Sequence, residues 1–176
     1  MTEATTTLTR AAIDNLPSQS LPVNTMPVTP VPGSFVASVA DGEMSISPKN
    51  TARYTPYVRL AEVVNTEKLV ALYLRLYPLF QKSYEELGYP NKYFNDRVIE
   101  VVDNLLAAPD IKEPVKLLQP KIVYAYADPD LEGRSIGQRT LMRIGSENEA
   151  KVKTKLQEIR QELLLHMHEE EVKTAE

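Results

Sequence analysis

The chain has 176 residues, 43% of them hydrophobic and 25% charged, with a net charge of −4 and no cysteine. That size fits about one domain, able to bury about two thirds of the surface its unfolded chain exposes, and the lack of cysteine excludes disulfides and thiolate metal sites. A pI of about 5.4 and an even spread of acids and bases argue against the basic stripe of a nucleic-acid binder, and no apolar run approaches the roughly 20 residues that span a bilayer.

Residues 1–33 read as a flexible, proline-rich leader and linker. Met1-Thr2-Glu3-Ala4 offers neither the basic nor the apolar region of a signal peptide. Leu8–Asn15 has the composition for one or two helical turns. Pro17, Pro22, Pro27, Pro30 and Pro32 each fix φ and bias the preceding residue towards extended backbone. Pro17–Pro32 is therefore expected as extended or polyproline-II chain, a spacer or a wrap over the domain surface, and Pro27–Pro30 also has the spacing of a PxxP recognition motif.

A single globular domain is expected over residues 34–165. It opens on a β-hairpin, because both central residues of a type I′ turn need positive φ and Asp41-Gly42 supplies the residue types that adopt it. A two-residue loop there pairs Val39 with Met44 and Ala37 with Ile46. Period-2 alternation then puts Phe35, Ala37, Val39, Met44 and Ile46 on one face, which must lie on a core.

From Ser47 the pattern turns helical. Ser47-Pro48 and Thr55-Pro56 are both start signals, predicting a short helical turn and then a helix over about 56–64. Thr66 is expected to cap a longer helix with Leu69, Leu72, Tyr73, Leu76, Phe80 and Leu87 on its apolar face, kinked or restarted at Pro78 and ended by Gly88. A helix over about 93–107 should bury Val98, Val101, Val102 and Leu105, expose Glu100, Asp103 and Asn104, and take its cap from Asn95 or Asp96. Ile122–Tyr126, β-branched and aromatic, is the candidate third strand. Asp128-Pro129 should start a helix running to about Ile144. Ser146-Glu147-Asn148-Glu149 has the form of a capping box. It would open a last helix whose seam, Val152, Leu156, Ile159 and Leu163, lies on the core. An acidic, frayed tail is expected over 166–176. The fold class is thus mainly α (α+β), about five helices packed with a small antiparallel hairpin or three-stranded element.

Signatures of common chemistry are missing. The sequence has no glycine-rich phosphate loop and no GxSxG elbow. Its only histidines, His166 and His168, are two apart and point to different faces of a helix, so no metal site is expected. What remains is a tyrosine-dense middle: seven of the nine tyrosines lie between Tyr54 and Tyr93, interleaved with Arg53, Arg59, Arg75, Glu85, Asp96 and Arg97. Aromatic and arginine side chains are the usual anchors of binding surfaces. Tyr93-Phe94-Asn95-Asp96-Arg97 is its densest polar cluster, with capping and a salt bridge as the plainer role for Asp96. Acid–base chemistry there would need a second carboxylate such as Glu85 or Asp128.

Leu76-Tyr77-Pro78-Leu79-Phe80-Gln81, Tyr84-Glu85-Glu86-Leu87-Gly88-Tyr89-Pro90, Tyr93-Phe94-Asn95-Asp96-Arg97 and Asp128-Pro129-Asp130-Leu131-Glu132 together resemble the bacterial family known as domain of unknown function 3014. Gln119-Pro120-Lys121, Gly137-Gln138 and Arg143-Ile144-Gly145-Ser146-Glu147-Asn148 extend the likeness, which covers about residues 8–163. Members of that family look like envelope proteins, with one N-terminal membrane helix, a proline-rich linker and this domain outside the cytoplasm. The resemblance therefore implies a periplasmic location, although this chain begins shortly before Asp14-Asn15-Leu16-Pro17 and shows no membrane helix. It implies no cofactor, and its partner would be an unknown protein or cell-envelope component. Residues and resemblance together single out Tyr77, Tyr84, Glu85, Tyr93, Asn95, Asp96, Arg97, Lys121, Asp128 and Gln138 as binding candidates. The expected function is a non-catalytic binding or scaffolding module. The alternatives are a small-molecule or cell-wall-fragment receptor, or an enzyme of unknown class using Asp96, Glu85, Tyr84 and Lys121.

Overall fold

A computed structural model describes residues 11–20, 31–86, 88–111 and 114–175, with side chains to Met167. Pro22, Pro27, Pro30 and Leu87 lie outside the described residues. The order of elements is β1 (Ala37–Ala40), β2 (Glu43–Ile46), α1 (Pro48–Val63), α2 (Thr66–Glu86), α3 (Phe94–Leu106), β3 (Lys116–Leu118), β4 (Ala125–Tyr126), α4 (Pro129–Glu132), α5 (Ile136–Arg143) and α6 (Ser146–Ala175). Helices dominate, and α6 runs along α1, α2, α3 and α5.

The hairpin closes as its turn residues dictate. Asp41 and Gly42 have φ of 53° and 79°, and the register pairs Val39 with Met44 and Ala37 with Ile46. Phe35, Ala37, Met44 and Ile46 pack over buried Val115, Leu117, Tyr126 and Met142. Val39 departs from the expected buried face and is 68% exposed. The next strand pairs only with Met44 and Ser45, so the hairpin tip overhangs the core. The sheet is a four-stranded antiparallel meander, β1-β2-β3-β4. The expected third strand is corrected: Lys116–Leu118 takes that place, Ala125–Tyr126 forms the fourth strand, and Ile122 and Val123 stand exposed in the intervening loop.

Four helix boundaries also differ from the sequence pattern. Helix α1 runs unbroken from Pro48 through Pro56, where the expectation was a turn and a restart. Pro56 and Ala52, whose carbonyl loses its helical donor, are both exposed, so ring and carbonyl face water at little cost. Helix α2 likewise continues through Pro78. Its cap is Asn65, whose Oδ1 accepts from Lys68 N–H at 2.8 Å; Thr66 instead donates its hydroxyl to Glu158 at 2.7 Å. The buried face of α2 is carried by Val70, Phe80 and Tyr84, while Leu69 and Leu72 are exposed.

The expected helix over 128–144 is two helices. Asp128 caps α4, and Ser135 caps α5 by accepting from Gln138 N–H. The restart exposes fresh backbone donors at the start of α5. Ile136 and Gly137 spend them on the carbonyls of Ser18 (2.7 Å) and Leu16 (3.0 Å). Arg139 adds a bond to the carbonyl of Gln19. Residues 11–20, helical over 11–15, are thereby docked on the domain. At the start of α6 the capping box is not formed: Glu149 N–H bonds the Gly145 carbonyl at 2.9 Å. Its buried carboxylate turns inward to Lys153 Nζ, also at 2.9 Å. Leu163 is buried and Val152, Leu156 and Ile159 are half-buried, so that seam does lie on the core.

Candidate functional site

The α2–α3 corner is built on aromatic packing. Phe80, Tyr84 and Phe94 form a buried cluster, with Phe80–Phe94 ring centroids 5.7 Å apart and Tyr84–Phe94 5.5 Å. Ile13 of the docked N-terminal segment packs against this cluster. Tyr89 stacks on Tyr84 with centroids 4.7 Å apart and ring planes 15° from parallel.

Gln81 ties the corner shut. Its Oε1 accepts from Phe94 N–H (2.8 Å) and from the Tyr77 hydroxyl (2.9 Å). Its Nε2 donates to Glu85 (2.7 Å) and to the Lys92 carbonyl (3.0 Å). Gln81 thus satisfies the first N–H of α3, so neither Asn95 nor Asp96 serves as its cap; Tyr93 occupies the cap position without a side-chain bond. Asn95 points into the core and accepts from the Tyr73 hydroxyl at 2.6 Å, and burial pushes that phenol's pKa up.

Helical spacing places Tyr93, Asp96, Arg97 and Glu100 on one face of α3. They line a cleft of about 340 Å³ together with Tyr84, Tyr89 and Asp14. Arg97 is held by three bonds. Its Nε donates to Asp14 Oδ1 (2.6 Å), Nη2 to the Asp14 carbonyl (2.7 Å), and Nη1 to Glu100 (2.9 Å). The Tyr84 side chain is 3% exposed and lines the cleft. Among the described residues nothing hydrogen-bonds its hydroxyl. Burial, then the negative charge of Asp14, raise its pKa, so the phenol stays a neutral donor. Asp96 is exposed, and among the described residues its carboxylate makes no hydrogen bond or ion pair, so the expected salt bridge is absent there. Lys92 Nζ sits 5.7 Å from the Tyr89 ring centroid.

Residues 8–160 match the family model described as Protein of unknown function (DUF3014). The chain belongs to this family. No curated protein and no solved structure matches it.

Of the ten candidates, Tyr84, Tyr93, Asp96 and Arg97 meet in the cleft of this DUF3014 domain. Tyr77 and Glu85 stand behind it through Gln81. The remaining candidates have other surroundings. Lys121 is exposed in the β3–β4 loop, and Asp128 accepts from Asp130 N–H at the start of α4. Gln138 is buried in α5 and donates to the Asn104 carbonyl at 2.6 Å. Lys121 does not line the cleft with Asp96 and Tyr84. Asp14, Glu100 and Lys92 were not singled out from the sequence. Glu100 could have been found from its spacing to Asp96 and Arg97; Asp14 carried no signal beyond its place in a proline-rich leader. Among the described residues no group of three His, Asp or Glu side chains is placed to hold a metal ion.

Proposed function

We propose that this DUF3014 chain is a non-catalytic binding module and that the α2–α3 cleft receives a small polar ligand. The observation that carries this reading is the convergence of a tyrosine hydroxyl with no hydrogen-bond partner among the described residues, exposed aromatic rings and ionised side chains in one concave site. A flat aromatic patch would speak for a protein face instead. The charged groups suit binding better than catalysis: the Arg97 guanidinium is already paired with two carboxylates, and the three together brace the site. Placement of the module in the bacterial envelope rests on the family resemblance. Among the described residues no helix is long and apolar enough to cross a membrane.

A thermal-shift screen of metals, nucleotides, sugars and cell-wall fragments tests the reading. A ligand at 100 times its dissociation constant adds about 2.7 kcal/mol, which is about 5–10 °C for a domain of this size. The shift should vanish in Asp96→Ala, whose own stability should change by no more than the about 0.3–1 kcal/mol of a first-turn carboxylate on the helix dipole. A ligand whose shift survives both Asp96→Ala and Tyr93→Ala binds elsewhere and removes the cleft from the proposal.

A further inference from the structure

The charge pattern of the cleft narrows the ligand class. Two cations, Lys92 and Arg97, and three carboxylates, Asp14, Asp96 and Glu100, line it. An anionic ligand meets an arginine fork already engaged by Asp14 and Glu100, and it also meets the repulsion of all three carboxylates. A cationic ligand seeking an aromatic face finds Lys92 Nζ already over the Tyr89 ring. A ligand of either charge sign therefore meets groups of its own sign in the same small volume.

A hydroxyl group both donates and accepts, so a polyhydroxylated ligand can satisfy carboxylates, ammonium and guanidinium within one small volume. Tyr84, whose hydroxyl has no partner among the described residues, adds a phenolic donor to the lining. Tyr93 adds an open aromatic face at the rim, 66% exposed. The C–H face of a pyranose carries partly positive hydrogens, which lie favourably against the negative face of such a ring. The cleft's volume of about 340 Å³ is at the low end of ligand pockets, the size for one or two sugar rings.

We infer that the α2–α3 cleft binds an uncharged carbohydrate unit, stacked on Tyr93 and hydrogen-bonded by Asp96 and the Tyr84 hydroxyl. The inference rests on the cleft being the ligand site. Asn91, exposed beside the same opening, supplies an amide that can donate and accept to ring hydroxyls.

The test is amide NMR of the full chain titrated with cellobiose, maltose and diacetylchitobiose, and in parallel with glycylglycine, methylammonium and phosphate. At least one saccharide should shift the amides of residues 89–97. Its affinity should fall at least tenfold in Tyr93→Ala, whose exposed ring is dispensable for folding, and severalfold in Tyr84→Phe, which keeps the buried ring and loses only the hydroxyl. Raising the ionic strength should leave the affinity unchanged, as befits an uncharged ligand. If glycylglycine, methylammonium or phosphate shifts those amides and no saccharide does, the carbohydrate inference is overturned and the cleft remains the binding site. If no probe of any class shifts them, or if saccharide shifts persist in Tyr93→Ala and Asp96→Asn alike, both readings fall.

Discussion

Gly145 joins α5 to α6 close against α1, and replacing it by alanine separates two costs that are usually confounded. Its φ is +93°, where a Cβ is strained whatever the surrounding space. An added Cβ would lie 2.2 Å from Thr51 Oγ1, 2.9 Å from its Cγ2 and 3.0 Å from its Cβ. Thr51 belongs to α1 and is not free to retreat, because its carbonyl accepts from Asn148 Nδ2 at 3.0 Å and from the Thr55 hydroxyl at 2.9 Å. Asn148 in turn donates to the Ile144 carbonyl at 3.0 Å, so the same junction holds three helices.

The conformational part should cost about 1–2 kcal/mol and the overpacking a further 1–3 kcal/mol or so, together about 2–5 kcal/mol. At about 2–4 °C per kcal/mol for a chain of this length, a mid-range loss lowers Tm by about 7–14 °C. Gly42→Ala is the internal comparison: its φ is +79°, but nothing lies within 4 Å of the new Cβ, so only the conformational part applies. Thermal and urea unfolding followed by far-UV circular dichroism measure both. Adding Thr51→Ala removes the Oγ1 and Cγ2 contacts and should recover most of the packing loss, measured against Thr51→Ala alone. Equal destabilisation of Gly145→Ala and Gly42→Ala, or no recovery in the double variant, would refute the packing argument.

Asn50 is fully buried and stitches residue 36 to α1: its Nδ2 donates to the carbonyls of Val36 (2.6 Å) and Ser47 (2.9 Å), and its Oδ1 accepts from Val36 N–H (3.0 Å). Asn50→Ala leaves the Val36 N–H unpaired, while the Val36 and Ser47 carbonyls still accept from the backbone N–H groups of Ser47 and residue 50, and it should cost about 1–3 kcal/mol by urea unfolding; a loss below 1 kcal/mol or so would mean water replaces the amide. Arg97→Met breaks the hold on Asp14, a charged hydrogen-bond pair worth about 1.5–3 kcal/mol. It should speed hydrogen exchange at the Ile136 and Gly137 amides, which the carbonyls of Ser18 and Leu16 protect, by at least tenfold. Unchanged exchange there would show that residues 11–20 dock without Arg97. Burial raises the Glu149 carboxyl above its ordinary 4.5, against the opposing pull of Lys153. The folded chain therefore holds that proton more tightly than the unfolded chain, and this group's contribution to stability falls as pH rises above 4.5. Glu149→Gln should flatten that decline in a series of melts across pH, and an unaltered slope would remove Glu149 as its source.

How far the sequence reached depends on whether each feature is local. The hairpin register follows from Asp41-Gly42 alone, because a two-residue turn leaves one pairing. β3 escaped notice because its strand signal is three residues long and its partner, β2, is distant in sequence. No restart occurs at Pro56 or Pro78, for a reason composition does not carry: both rings face water, where a lost helical bond is cheap. The cleft divides the same way. Tyr93, Asp96, Arg97 and Glu100 are spaced so that any helix through them shares one face, and that part of the lining could be read from the sequence. The rest of the lining could not. Tyr84 and Tyr89 reach it through the turn that Gln81 fastens with its side-chain amide, and Asp14 is delivered by Arg97, by the packing of Ile13 and by the backbone carbonyls of residues 16–19, the last of which any amino acid could have supplied. A proline-rich segment looks like linker because its side chains have little to bury, yet its carbonyls add a hold on α5 to the contacts of Ile13 and Asp14. Asp14 joins the site only when residues 11–20 are docked, so ligand affinity and the docking of that segment should be coupled, each strengthening the other by the same factor.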